Sequence, residues 1–301
     1  MPGSLPLENN PKALGLGVAN LRFWLIPQNT DYLPELPNVH RKFLITSDHK
    51  GPYLIREGDL LIQLKNEFIF SKEKWGKLIC GTKIWELWQS KDDSYIFVVP
   101  NGLAPKYLVI TQDFKHGQFF IENLINSSDE PYPLKNLDNL LFVNWLGNYG
   151  DIMLHASGIV VDKKAYAFIG PAGIGKSTIV NELSIEPSVT VIGEDTIILR
   201  HLNDNFWTFG TPWHLNPEMC SPLGAPLERL YFLERNPVEQ VLKLSPQEGI
   251  SRILQTAFIP YYRSDLMHRI LDRLILLSEE VPFYSLSFNL GTDVWQLINE
   301  G

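Results

Sequence analysis

The chain has 301 residues, 45% of them hydrophobic and 20% charged, enough to bury one large globular core or two ordinary ones. A formal net charge of −8, with no cluster of Lys and Arg, argues against a nucleic-acid partner. Cys80 and Cys220 lie too far apart in sequence for a CxxC site and point to a reducing cytoplasm, and no apolar run approaches membrane-spanning length.

In chain order, residues 1–20 are rich in Pro, Gly and Asn, lack the pattern of a signal peptide and are expected to form a flexible N-terminus. Residues 21–130 read as a β-rich domain. Leu21–Ile26 and Arg41–Thr46 have strand composition, and two hairpins follow. One runs from Lys83–Trp88 through Lys91–Ser94 into Tyr95–Val99, and the other from Tyr107–Ile110 past Lys115–Gly117 into Phe119–Ile121. The aromatic residues here read as packing, and His40, His49 and His116 as surface histidines. The period then becomes helical at Leu134, Leu137, Leu140, Leu141 and Trp145, and Gly147–Gly150 ends that helix. The domain boundary is placed near residue 130, so that 131–301 form a second domain.

The second domain carries the chemistry. Ala167-Phe168-Ile169 runs into Gly170-Pro171-Ala172-Gly173-Ile174-Gly175-Lys176-Ser177-Thr178, and apolar Ile179, Val180 and Leu183 follow at helical spacing. Strand, Gly-x-x-x-x-Gly-Lys-Ser loop and helix are the context of a phosphate-binding P-loop. Glycines let several N–H groups converge on one anion, Lys176 would reach the outer phosphates, and the Ser177 hydroxyl would join the shell of Mg²⁺. Upstream, Ile152–Val161 reads as a strand separated from the P-loop strand by Asp162-Lys163-Lys164. So short a link closes an antiparallel hairpin rather than a crossover. Pairing Val161 with Ala165 then sets His155 opposite Pro171, at the mouth of the loop. Downstream, strand Val189–Ile192 ends in Gly193-Glu194-Asp195. A right-handed crossover makes this strand parallel to the P-loop strand, which brings Glu194 and Asp195 beside the phosphates. Neighbouring residues alternate sides, so one acid would hold the metal and the other could accept a proton.

Thr196–His201 and Phe206–Gly210 form a further hairpin around Asn203-Asp204-Asn205, and Gly210-Thr211-Pro212-Trp213-His214 reads as a turn carrying a packed Trp. A strand at Leu230–Leu233 leads to a helix opened by a Ser245–Glu248 capping box, with Ile250, Ile253, Leu254, Ala257 and Phe258 on its buried side. A second helix from about Ser264, strand Pro282–Phe288 and a short helix capped by Thr292 close the chain.

Leu154-His155-Ala156-Ser157-Gly158, the P-loop and Gly193-Glu194-Asp195 together resemble the HPr serine kinase/phosphorylase family. That resemblance implies an α/β (α+β) fold: a phosphoenolpyruvate carboxykinase-like P-loop domain with a mixed sheet, preceded here by the β-rich N-terminal domain. Gly210–His214, Ala225-Pro226-Leu227 with Leu230–Leu233, and Val281–Tyr284 are similar to a subgroup of about this length, several members of which are encoded with modified-peptide pathways such as those for lasso peptides. The family likeness implies ATP, or another nucleoside triphosphate, with Mg²⁺ as cofactors, and a Ser hydroxyl on a peptide or small protein as acceptor. It makes His155 the active-site histidine, Gly170–Thr178 the ATP loop, Lys176 the phosphate-binding cation, Ser177 and Asp195 metal ligands, and Glu194 and Asp195 the positions used for proton transfer. Glu194 stands where the family has the first of two aspartates, and its Leu-Glu-Ile-Arg-Gly-type signature has no counterpart. A homo-oligomer is left open. The alternative expectation is a nucleotide-binding regulator with little transferase activity, and a carboxykinase acting on a small oxo-acid lacks recognisable substrate arginines.

Overall fold

The computed structural model describes residues 13–28, 34–45, 58–65, 75–100, 105–121, 132–135, 137–289 and 293–300. The chain divides into two compact units, Met1–Trp145 and Leu146–Gly301. The division therefore runs through a helix, whereas the change of period had placed it near residue 130.

The first unit holds β1 (Leu14–Val18), β2 (Leu21–Pro27), the short helix α1 (Asn38–Arg41), β3 (Leu60–Lys65), β4 (Lys77–Gly81), β5 (Glu86–Gln89), β6 (Tyr95–Val99), β7 (Lys106–Ile110) and β8 (His116–Ile121). Its eight strands form one sheet in the order β1-β2-β3-β8-β7-β6-β5-β4. The two expected hairpins are β5–β6 and β7–β8. Three expectations change. Leu14–Val18, assigned to a flexible terminus, pairs with β2 because Ala19 and Asn20 both take positive φ (53° and 60°), the geometry of a two-residue type I′ turn. Arg41, expected to open a strand, instead ends a helical turn over 38–41 that follows Pro37, and Leu44 makes only an isolated bridge to Leu16. His40 is buried, with Nε2 2.9 Å from Asp138 Oδ2, while His116 is exposed. Residues 1–12, Thr46, His49 and Thr292 lie outside the described residues.

Helix α2 (Asp138–Gly147) leads into the second unit, with Leu141 and Trp145, and Leu137 just before it, fully buried. There follow β9 (Ile152–Leu154), β10 (Ala156–Val161), β11 (Lys164–Ile169), α3 (Lys176–Leu183), β12 (Thr190–Gly193), β13 (Ile197–Leu202), β14 (Asn205–Gly210), β15 (Gly224–Leu233), β16 (Gln240–Lys243), α4 (Pro246–Thr256), β17 (Ala257–Phe258), α5 (Ser264–Glu280), β18 (Phe283–Ser287) and α6 (Val294–Glu300). The main path of the sheet is β12-β10-β11-β15-β14-β13-β9-β17, with β18 beside β15 and β16 beside β18. It is mixed: β11–β15 and β15–β18 are parallel, the other pairs antiparallel. Helices cover both faces of its parallel part. Ala167, Ile169, Leu230 and Phe232 face the core shared with Ile253 and Ile270 of α4 and α5. Phe168, Tyr231 and Leu233 face the core shared with Ile179 of α3 and Ile298 of α6. That two-sided burial explains why these strands read as unbroken apolar runs.

The capping box of α4 forms, with Ser245 N donating to Glu248 Oε2 at 3.1 Å. Gly249 lets α4 lie on Phe283, whose Cδ2 would stand 1.9 Å from an added Cβ. Phe258, expected on the buried side of that helix, is 43% exposed, because the chain leaves the helix at Thr256 and becomes β17 on the sheet edge. Among the described residues, no helix is long and apolar enough to cross a membrane.

Two details of strand pairing set the site. The β10–β11 turn is two residues, not three: Asp162 and Lys163 have φ of 48° and 65°, and Val161 pairs with Lys164. Ala156 therefore pairs with Ile169, and the same register carried one step on sets His155 across from Gly170 instead of Pro171. The single strand expected over Ile152–Val161 is two, broken at His155. Before the break β9 pairs with β13 and β17, and after it β10 pairs with β11 and β12.

Candidate functional site

Three chain segments meet where strands end. The P-loop leaves β11, His155 occupies the break between β9 and β10, and Glu194-Asp195-Thr196 link β12 to β13. Both β11 and β12 are antiparallel to β10, so they are parallel to each other and end on the same side. The expected convergence of loop and acids thus arises with β10 between the two strands.

Gly173 and Gly175 have φ of +75° and +118°, and Gly175 caps α3 in the left-handed region where a side chain would be strained. The first intrahelical bond is Ile179 N to Gly175 O at 2.9 Å. The N–H groups of Lys176, Ser177 and Thr178 lie in the first turn, where no intrahelical acceptor exists, so they face outward as anion donors. Pro171, Ala172, Gly173 and Ser177 are exposed, Ile174, Gly175 and Thr178 half-buried, and Gly170 buried.

Lys176 is only 6% exposed. Its Nζ lies 2.8 Å from Gly170 O, 3.1 Å from Pro171 O and 3.1 Å from His155 Nε2, one partner for each ammonium proton. Burial pushes its pKa down, and Asp195 pulls it back up. On the other side of the imidazole, His155 Nδ1 lies 3.0 Å from Asp195 O and 3.1 Å from Asp195 Oδ1. Nδ1 faces two acceptors and so carries the proton. Nε2 presents its lone pair to Lys176. The result is a continuous Lys176–His155–Asp195 chain of hydrogen bonds. The hydrogen bond from His155 holds the Asp195 carboxyl below its usual range, against the opposing effect of burial.

Glu194 lies in different surroundings. Burial raises its pKa, while the Asn216 backbone N–H donates to its carboxylate and lowers it. Its own carbonyl accepts from Ser157 Oγ at 2.6 Å. The two acids therefore differ in surroundings, and only Asp195 touches the histidine.

Two residues of this neighbourhood escaped the sequence reading. Arg235, just beyond β15, donates from Nη2 to Gly173 O at 3.1 Å, placing a guanidinium on the tip of the P-loop. Its only sequence signal is its place after a strand parallel to β11. His214 packs against Gly193, and its Nε2 lies 3.1 Å from Thr211 Oγ1. Burial pushes its pKa from 6.5 down to about 4, with Asp195 acting in the opposite direction. The unfolded chain then binds more protons than the folded one between those values, so stability falls as pH drops from 6.5 towards 4. Denaturant midpoints measured across that window should show a loss on the order of 3 kcal/mol relative to His214→Gln, which has no such group. Identical pH profiles for the two proteins would refute the buried, neutral imidazole.

The residues present suit a magnesium–nucleotide complex. Outward N–H groups and Lys176 match phosphate oxygens, while the exposed Ser177 hydroxyl and the 58% exposed Asp195 carboxylate are hard oxygen donors. Among the described residues no group of three or more His, Cys, Asp or Glu could hold a metal ion by protein ligands alone. A cation here would share its shell with phosphate oxygens, as Mg²⁺ commonly does.

No family model matches the chain, and no curated protein matches it. Among solved structures, it is similar to the HPr(Ser) kinase/phosphatase from Coxiella burnetii, at 15% sequence identity and a TM-score of 0.28, over 49% of this chain and 86% of that one.

Proposed function

We propose that this chain is a kinase that uses ATP and Mg²⁺ to phosphorylate a Ser hydroxyl on a peptide or small protein, its second unit a phosphoenolpyruvate carboxykinase-like domain of the HPr kinase type. The observation that carries the reading is the Lys176–His155–Asp195 chain at the mouth of a P-loop. Phosphoryl transfer needs positioning and charge neutralisation more than covalent participation, and this small set of groups offers both.

The hydrogen bonds support the following roles. The N–H groups of Lys176, Ser177 and Thr178 would hold phosphate oxygens, and Ser177 Oγ and Asp195 would share the Mg²⁺. The bound Mg²⁺–triphosphate supplies the transferable phosphoryl group. Lys176, turning from the loop carbonyls towards a phosphate, releases the Nε2 lone pair of His155. That lone pair then accepts the proton of the attacking hydroxyl, and Asp195 Oδ1 stabilises the imidazolium through Nδ1–H. Glu194, anchored on Asn216, shapes the acceptor side of the turn.

The test is incubation with γ-labelled ATP, Mg²⁺ and pooled Ser-containing peptides, followed by separation of labelled peptide from inorganic phosphate. Label should appear on a peptide, and Asp195→Asn should reduce the rate by about 10²–10⁴-fold, the usual contribution of a proton-transfer assembly. Tight nucleotide binding with no labelled acceptor would instead favour a nucleotide-binding regulator.

A further inference from the structure

The Gly210–His214 segment grips the acid-bearing turn from behind. The carbonyls of that turn are held from several directions: Ile192 O by Ser221 N at 3.2 Å, Glu194 O by Ser157 Oγ at 2.6 Å, Asp195 O by Ala156 N at 3.1 Å, and Thr196 O by Thr211 Oγ1 at 2.9 Å. Thr211 is fully buried, and its single hydroxyl proton is committed to Thr196 O. His214 Nε2 faces the Thr211 oxygen and also the Thr196 carbonyl, and a carbonyl can only accept, so the imidazole is the Nε2–H tautomer. The ring fills the space beside Gly193, where an added Cβ would lie 3.0 Å from Nε2 and 3.1 Å from Cε1.

His214 Nδ1 is buried with no hydrogen-bond partner. Such a nitrogen loses its hydration without replacement, a penalty that an apolar side chain of similar volume would avoid. Packing alone therefore does not account for a histidine here, whereas the Nε2–H bond does.

We propose that His214 is a positioning residue for phosphoryl transfer: acting through Thr211 and Thr196, it sets the pitch of the Gly193–Thr196 turn and so keeps Asp195 Oδ1 on His155 Nδ1. The rate effect rests on the kinase reading above, while the alignment rests on the hydrogen bonds alone. A displacement of about 1 Å in such an assembly is enough to lower a rate by about 10²-fold.

The experiment compares the full-length protein with His214→Leu, His214→Gln and Thr211→Val. Gln keeps an N–H near the Nε2 position, Leu keeps volume alone, and Val removes the hydroxyl at almost constant shape. Two readouts are taken on each protein after its melting temperature shows that it folds. Nitrogen NMR of the His155 ring reports its tautomer, and steady-state labelling with γ-labelled ATP separates kcat from the KM for ATP. His214→Leu and Thr211→Val should lose the pure Nδ1–H signature of His155 and fall about 10–100-fold in kcat, with KM for ATP changed less than about twofold, and His214→Gln should recover most of both. An unaltered His155 tautomer and kcat in His214→Leu and Thr211→Val would overturn the proposal. Loss of the tautomer signature in a protein that labels no acceptor would support the positioning role and overturn the kinase reading instead.

Discussion

Lys176→Ala should abolish phosphoryl transfer while leaving a folded protein. Its ammonium bonds both to the loop carbonyls, Gly170 O and Pro171 O, and to the imidazole of His155. Removing it deletes the charge that would oppose the developing charge on the transferred phosphoryl group and also the donor that orients His155 Nε2. Loss of a single preorganised donor in such a site costs about 10²–10³-fold in rate, and Lys176 fills two roles, so the loss should reach or exceed that range. The fold should change little, because desolvation of the buried ammonium offsets much of what its hydrogen bonds contribute. Lys176→Arg should fail almost as badly, since a planar guanidinium cannot reproduce three bonds converging on one nitrogen. Initial rates with γ-labelled ATP, paired with a melting curve, decide the matter. A wild-type rate in Lys176→Ala would show that the site assignment is wrong.

Arg200→Ala should destabilise the second unit by about 3–5 kcal/mol at neutral pH, the usual cost of leaving one member of a buried ion pair alone. Arg200 Nε lies 2.7 Å from Asp151 Oδ2, with side chains 7% and 2% exposed, and His201 N donates to the other carboxylate oxygen at 3.3 Å. The pair matters for the site as well as for stability. Asp151 directly precedes β9, Arg200 lies in β13, and these strands deliver His155 and Asp195 from their adjoining ends, with Leu154 paired to Ile197. Burial raises the pKa of Asp151, and Arg200 is the main influence that lowers it. Without the arginine the carboxyl should rise further. A raised folded pKa means that the folded state holds the proton more tightly, so stability is present at low pH and lost as pH rises through the folded value. The deficit of Arg200→Ala should therefore shrink between pH 7 and pH 5. Asp151→Asn combined with Arg200→Met should recover much of the loss, because an uncharged pair leaves no stranded charge and the introduced amide carbonyl can still accept from His201 N. Urea unfolding at both pH values tests each statement, and a deficit below about 1 kcal/mol at pH 7 would show that the pair is solvated.

Sequence reading was strongest where the physics is local. Ser245 and Glu248 cap α4 within one turn, and Gly173 and Gly175 take the positive φ that the P-loop motif demands. It failed where one residue of register or one turn geometry decided the outcome. The positive φ values at Ala19-Asn20 and Asp162-Lys163 belong to residues without an Asn-Gly or Asp-Gly signature, so neither the β1–β2 hairpin nor the two-residue β10–β11 turn is legible in the sequence. His40, placed on the surface from its polar neighbours in sequence, is buried by Asp138, far along the chain.

The site divides along the same line. The conformation of the loop proposed to hold phosphates was determined by Gly170–Thr178 alone, since the groups involved are contiguous and their backbone angles follow from glycine and from helix initiation. The placing of His155 at the mouth of the loop and the parallel ends of β11 and β12 follow in the sequence from hairpin and crossover geometry. The break at His155, its exact register, Arg235 beyond β15 and His214 behind the acid turn were decided only by the tertiary structure, as products of strand order. Strand order depends on non-local pairing, in which one step of register moves every side chain to the other face.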